Sequence, residues 1–447
     1  MEKIIKTDNS VTLNTFSFHF GGRVKAIASK SHAHRLLIAS ALSYSPSSLI
    51  LEETSKDIEA TISCLNNLGA IIKKNNDHLD ITPIPGIYSI VDAASTPESD
   101  IKDISKLDAG ESGSTLRFML PIVTALGKDC EITTHNRLTT RPLSPLYEEL
   151  ISHGAVLSLQ GISPLVTKGH ITSGTYIIPG NISSQYITGL LFALPLLKGD
   201  SKILVTGEIS SRPYINITLS VLASYNIKVI ENTPGEFIIP GNQIYNPSSP
   251  ITKVEGDWSN AAFFLCAGAI SKESVTVTDL SLNSDQGDKK ILDILRDFGA
   301  GIEITENQNG LCDITVTPKD LKATFIDAHD IPDLIPILSV CAASANGTTK
   351  IINYERLRIK ESDRVEAIKT MLINFGINIE EKDDILYITG SPSFKETSND
   401  SFNDHRMAMS SAIASIRADG PVTITDPYAI RKSYPDFYKH FTSLMYL

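Results

Sequence analysis

Cysteine is scarce in this chain of 447 residues, and its distribution gives no sign of pairing. The five positions are Cys64, Cys130, Cys266, Cys312 and Cys341, widely spaced and with no C-x-x-C pair. An odd, scattered set argues against a disulfide framework or a zinc site and is expected as buried thiols of a reducing compartment. Positive charge is short too: 40 Lys and Arg face 51 Asp and Glu, a formal net charge of −11. That balance argues against nucleic acid or an anionic membrane as the main partner, because a phosphate backbone needs a basic face. Small anions stay possible, since they need only a local pocket. Long apolar runs are absent. "YITGLLFALPLL" and "LIPILSVCAASA" reach only about a dozen residues, short of the roughly 20 a membrane span requires. The opening "MEKIIKTDNS" mixes both charges and lacks an apolar signal core, so a cytoplasmic protein is expected. Neither a Walker loop nor a G-x-G-x-x-G fingerprint occurs.

What is present is an ordinary globular composition, 42% hydrophobic and 20% charged, long enough for two or three domains. It also repeats. Five segments share one pattern of apolar-periodic helix, turn residue, short strand, polar turn and second strand. Their turn residues are Gly69, Gly154, Asn226, Gly299 and Gly376, at spacings of 85, 72, 73 and 77. A sixth step lands in "YPDFYKHFTSLMYL" at the C-terminus, leaving the last unit without its hairpin. In the first unit, "RVKAIA" reads as a strand and "KSHAHRLLIASAL" as a helix. The strand "SSLILE", a helix from Lys56 and strands near "AIIKK" and "LDITPI" complete a β-α-β-α-β-β unit. The N-terminal "VTLNTFSFHF" can supply the missing hairpin, which makes one domain from both chain ends. The expected division is 1–28 plus 256–447 for that domain and 29–255 for an inserted one.

Basic residues gather in short stretches. "SKSHAHR" puts Lys30, Ser31 and Arg35 at a helix start, where free N–H groups favour an anion. A capped, solvated helix end explains it equally well. "DAGESGSTLRFMLPI" sets Gly110 and Gly113 before a helix carrying Arg117, either a close-approach loop or a tight turn. "NRLTTRPLSPL" offers Arg137 and Arg141, "GNISSQYITGLL" offers Ser183, Ser184 and Gln185, and "SSRPYINITL" offers Ser211, Arg212 and Tyr214. In "RLRIKESDRVEAI", helical spacing places Lys360 and Arg364 on one face beside Glu361, which also suits a surface ion-pair network. "FNDHRMAMSSAIAS" sets Asp404, His405 and Arg406 before a buried-looking helix. "IRKSYPDF" adds Arg431 and Lys432, and "IPDLIPIL" adds Asp333.

Three of these stretches, in order, carry a resemblance: S-K-S-x-x-x-R at Ser29 to Arg35, K-E-S-D-R at Lys360 to Arg364 and N-D-H-R-M-A-M at Asn403 to Met409. The chain resembles the 5-enolpyruvylshikimate-3-phosphate synthase family from about residue 21 to its C-terminus. The resemblance implies an α/β fold of two similar domains, each of three β-α-β-α-β-β units with helices packed inside sheets, and an active site in the cleft between them. The implied reaction moves the enolpyruvyl group of phosphoenolpyruvate to the 5-hydroxyl of shikimate 3-phosphate and releases phosphate. Two polyanionic substrates call for many cations, and arginine suits both carboxylate and phosphate. By the same resemblance, Lys30, Ser31, Arg35, Ser183, Ser184, Gln185, Ser211, Asp333 and Lys360 bind shikimate 3-phosphate. Phosphoenolpyruvate falls to Lys30, Gly113, Arg137, Gln185, Arg364, Arg406 and Lys432. Glu361 is the implied acid at the methylene carbon and Asp333 the base at the hydroxyl, with Lys30 assisting. No metal or organic cofactor and no macromolecular partner is implied, and a monomer is expected.

The sequence departs from the family pattern in places. Ile27 and Ala28 replace the usual Pro-Gly, Glu111-Ser112-Gly113-Ser114 replaces Asn-Ala-Gly-Thr, and Arg356 stands where Asn is frequent. Glu111 is expected to pair with a neighbouring cation. Retention of Gly113, where a side chain crowds glyphosate in this family, implies glyphosate sensitivity. Two alternatives are the sister transferase acting on UDP-N-acetylglucosamine, which uses a loop cysteine, and a non-catalytic paralogue that binds phosphorylated metabolites.

Overall fold

The computed structural model describes residues 2–88, 104–307 and 310–447. The chain divides into two compact units, Met1–Ser29 with Glu255–Leu447, and Lys30–Val254. Among the described residues there are six four-stranded sheets, three in each unit, all with one topology. In the sheet of Ser105–Asp108, the first strand pairs parallel with Cys130–Thr133. That strand pairs antiparallel with Leu165–Gly169, and Leu165–Gly169 pairs antiparallel with Ala155–Leu157. The parallel pair needs a crossover, and a helix supplies it.

Two kinds of helix follow from two kinds of sequence. The crossover helices are apolar nearly all round, as a helix buried on every side must be. Gly113–Ala125 buries every residue except Ser114, and Trp258–Ile270 every residue except Ser259. Helices Gly113–Ala125 and Ser184–Ala193 approach so closely that a Cβ on Gly189 would meet the Arg117 carbonyl at 2.4 Å. The second helix of each unit is amphipathic. Lys56–Asn67 buries Ile58, Thr61, Cys64 and Leu65, spaced three, three and one apart, and its far side is solvated. The five turn residues end these helices in the left-handed region, with φ of 109°, 111°, 59°, 92° and 79° for Gly69, Gly154, Asn226, Gly299 and Gly376. Four glycines and an asparagine take that conformation because other residues pay a Cβ penalty there.

The chain ends pair as the repeat count requires, but a little earlier than expected. The missing hairpin is Ile4–Lys6 with Ser10–Leu13, seated on Val422–Thr425, whereas His19–Phe20 pairs with Met445–Tyr446. A second expectation needs correcting. The strand ahead of "KSHAHRLLIASAL", Gly22–Lys25, does not join the sheet of the helix it precedes. It pairs parallel with Val275–Leu280 in the unit formed by both ends, and Ile251–Lys253 fills its place beside Ser47–Ile50. Order along the chain does not fix a pairing partner, and the chain passes between units directly after each of these strands. Among the described residues no helix is long and apolar enough to cross a membrane.

Candidate active site

In Lys30–Val254, the crossover helices begin at Lys30, Gly113 and Ser184, where the candidate residues sit. Lys30 donates to Asp57 Oδ2 at 2.9 Å, and Thr115 reaches the Asp57 carbonyl at 3.4 Å, so two of these helix starts share one neighbour. Gln185 joins the third: Arg117 Nη1 donates to its Oε1 at 2.7 Å, and its Nε2 donates to Ser114 Oγ at 2.9 Å. Three helix N-termini, the positive ends of their dipoles, therefore gather with Lys30 and Arg117. Ser183 caps its helix by accepting from Gln185 N at 3.3 Å, and Ser184 is buried behind it. Ser211, buried, holds φ of 58° ahead of helix Arg212–Ser224. Ser31 is half-buried in the first turn of its helix.

Arg35 is buried and largely committed. It donates from Nε to Thr218 (2.8 Å), from Nη1 to the Ser31 carbonyl (2.8 Å), and from Nη2 to Thr188 (3.4 Å) and the Tyr214 carbonyl (3.0 Å). Four of its five N–H groups are thus used, leaving one on Nη1. Burial lowers the guanidinium to about 10, still charged at neutral pH. Arg137 is exposed, on the turn Asn136–Thr140. The guanidinium groups that reach Gly113 belong to Arg141 and Arg117, whose Nη1 atoms would meet an added Cβ at 2.9 and 3.0 Å. Arg212 is spent on Glu231, and Arg431 is exposed over the Tyr428 ring.

In the unit of both chain ends, Arg364 is the hub. It is 1% exposed and donates from Nε to Asp404 Oδ2 (2.8 Å), from Nη1 to Asp333 Oδ1 (2.7 Å) and from Nη2 to Glu361 Oε2 (2.7 Å). Burial alone would lower its pKa, but the three carboxylates raise it well above the ordinary value. Burial likewise works to raise Asp404, yet Arg364 wins and holds that carboxyl below the usual range. Asp404 also accepts from Ser362 Oγ (3.0 Å) and caps the next helix at Arg406 N (2.9 Å). Arg406 Nη1 donates to the Asp333 carbonyl (2.9 Å), Lys360 lies 3.4 Å from its carboxylate, and Lys432 donates to the Asn403 carbonyl (2.6 Å). Burial pushes the Lys360 ammonium down to about 8. Glu111 and Arg356 are both half-buried.

Several members of these clusters were either unnamed in the sequence reading or named without a role. Asp57 sits in the first turn of an amphipathic helix and looks like a helix-dipole acid. Arg117 was signalled by being a lone charge in an otherwise apolar run. Asp404 was seen beside His405 and Arg406 without a role. Asp288 had no signal. It is 3% exposed and accepts from Ser259 Oγ, and burial together with repulsion from Asp333 raises its carboxyl to about 6, against Arg406. That value lies above the unfolded carboxyl at about 3.9. The associated stability is therefore complete below about pH 4 and lost as pH rises through about 6. Asp288→Asn, uncharged throughout, is expected to stabilise the protein by roughly 1–3 kcal/mol at pH 8 and little at pH 4. Urea titrations at both pH values would show it, and equal effects at the two would reject it.

All five cysteines are free and buried, with Cys130 opening a strand rather than lying in a polar loop. Among the described residues no group of three or more His, Cys, Asp or Glu is placed to hold a metal ion.

Residues 18–441 match the family model for EPSP synthase (3-phosphoshikimate 1-carboxyvinyltransferase). The chain is 41% identical over 434 residues to the 3-phosphoshikimate 1-carboxyvinyltransferase of Clostridium beijerinckii, covering 97% of both chains. It is 41% identical over 438 residues to that of Clostridioides difficile, again covering 97% of both. An EPSP synthase structure from Acinetobacter baumannii superimposes with a TM-score of 0.79 over 98% of each chain at 22% identity, a likeness of fold. Over nearly its whole length, in sequence and in architecture, the chain belongs to the EPSP synthase family.

Proposed function

We propose that this protein transfers the enolpyruvyl group of phosphoenolpyruvate to the 5-hydroxyl of shikimate 3-phosphate and releases phosphate. The observation that carries the reading is the cluster around Arg364, where a guanidinium, two further cations and the acids Asp333 and Glu361 meet at the starts of buried helices. In this reading Asp333 takes the hydroxyl proton as the oxygen attacks the second carbon of phosphoenolpyruvate, and Glu361 delivers a proton to the methylene carbon. Loss of phosphate and of one methyl proton then restores the double bond. Lys30, Gly113, Gln185, Arg364, Arg406 and Lys432 bind phosphoenolpyruvate, with Arg137 joining from its exposed turn. Ser31, Arg35, Ser183, Ser184, Ser211 and Lys360 bind shikimate 3-phosphate. The two sets come from both units of the chain, and the proposal assigns them to one reaction. The same reading takes the protein as a cytoplasmic monomer.

Phosphate release from the two substrates tests the proposal, with UDP-N-acetylglucosamine replacing shikimate 3-phosphate as the control. Turnover only with shikimate 3-phosphate is expected; turnover with neither, or with the nucleotide sugar, would overturn it. Glyphosate is expected to inhibit in competition with phosphoenolpyruvate. Gly113→Ala, whose Cβ must displace Arg141 and Arg117, is expected to weaken that inhibition by at least about tenfold, in line with small-to-large changes in packed sites. Unchanged inhibition would remove the glycine from the site.

A further inference from the structure

Four buried polar side chains in Lys30–Val254 form an unbroken line. His34 Nδ1 lies 2.8 Å from Thr61 Oγ1, which lies 2.7 Å from Thr115 Oγ1, which lies 2.8 Å from Ser112 Oγ. None is more than 1% exposed. The line ties three helices together, Lys30–Ala41, Lys56–Asn67 and Gly113–Ala125, and ends on the residue that caps the last of them by accepting from Thr115 N at 3.2 Å. We propose that His34 is a positioning residue for the turn at Gly113, fixing it through Thr61, Thr115 and Ser112. The inference rests on the assignment of phosphoenolpyruvate to that turn.

The direction of the line follows from the histidine. Burial, reinforced by Lys30 and Arg35, lowers its pKa well below the ordinary value, so the ring is neutral at pH 7 and carries one proton. Nε2 has no partner among the described residues. Orphaned buried N–H groups are rarer than under-used acceptors, so the proton belongs on Nδ1. Nδ1–H donates to Thr61, Thr61 donates to Thr115, and Thr115 donates to Ser112. The Thr61 hydroxyl is thereby held in one orientation, the Thr115 proton takes the Ser112 oxygen at 2.8 Å over the Asp57 carbonyl at 3.4 Å, and the cap oxygen receives both the Thr115 hydroxyl and the Thr115 N–H. Gly113 follows that cap directly, in a gap already closed by Arg141 and Arg117, so a small tilt of the helix start moves the turn against two guanidinium groups. Ser112 is also one of the departures from the family pattern: the alanine usual there has no oxygen to end the line.

Thr61→Val keeps the side-chain shape but neither accepts from His34 nor donates to Thr115. It is expected to raise KM for phosphoenolpyruvate about fivefold or more, the effect of roughly one hydrogen bond, with KM for shikimate 3-phosphate and kcat within about twofold. Thr61→Ser is expected to restore the parent value, which a purely packing role would not. In the unaltered protein, nitrogen NMR of the imidazole is expected to show Nδ1 protonated and Nε2 bare from pH 6 to 8. An Nε2–H tautomer, a doubly protonated ring, an equal rise in both KM values, no rise at all, or failure of serine to rescue would each overturn the proposal. The nitrogen shifts decide it even where the valine variant does not fold. Phosphate release by the unaltered protein checks the functional reading separately.

Discussion

Arg364→Leu is expected to destabilise the protein by about 3–5 kcal/mol at pH 7.5, the cost of removing one partner from a buried ion pair. The guanidinium is 1% exposed and Asp404 is fully buried, so no water replaces the lost bonds. Glu361 and Asp333 lose their contacts with it as well. The pH dependence separates this from ordinary packing loss. With Arg364 present, the depressed Asp404 carboxyl contributes stability that is present above the unfolded value and lost as pH falls through the folded one. Without Arg364, burial dominates and raises that carboxyl, so the charged form becomes a penalty that acid relieves. The loss should therefore shrink between pH 7.5 and pH 4.5. Arg364→Lys restores one charge but not the three-way fork, and should recover only part of it. Urea titrations at both pH values measure these differences. A loss under about 1 kcal/mol, or one equal at the two pH values, would remove Arg364 from the centre of the cluster.

How far the sequence carries the fold is visible at the repeats. The turn residues Gly69, Gly154, Asn226, Gly299 and Gly376 were readable because left-handed backbone selects glycine and asparagine. The crossover helices were readable because they are apolar on every side. Strand exchange at the crossings was not, because Gly22–Lys25 and Ile251–Lys253 carry no signal for which sheet receives them. The site divides in the same way. Lys360, Glu361 and Arg364 share a motif, and the structure puts Lys360 and Arg364 on Asp333 and Glu361 on Arg364. Residues that act by filling a partner's valence were harder to see. Asp57, Asp288 and Asp404 look like helix-start acids anywhere, and only the structure gives them Lys30, Ser259 and Arg364. Arg35 is more committed than its stretch suggests. Its place in a basic stretch suggested a group held ready for an anion, whereas four protein oxygens already occupy most of its donors.

Glu361→Gln is expected to lower kcat by about 10²–10⁴, the range for a positioned acid or base, while leaving KM for both substrates within about threefold. The carboxyl is partly open to solvent, with 24% of its side chain exposed, and its Oε2 accepts from Arg364 Nη2 at 2.7 Å. The glutamine oxygen can still accept that bond, so the variant keeps this contact while losing both the charge and the capacity to take up and deliver a proton. Stability should follow the same logic. Removing one of three negative charges around a buried guanidinium costs less than removing the guanidinium itself, because Asp333 and Asp404 still pair it. A glutamine variant that folds with stability within about 1–2 kcal/mol of the parent but turns over at a hundredth of the rate assigns Glu361 to proton transfer. One that binds both substrates poorly and turns over normally makes Glu361 a scaffold for Arg364, and the delivery of the methylene proton then falls to another group.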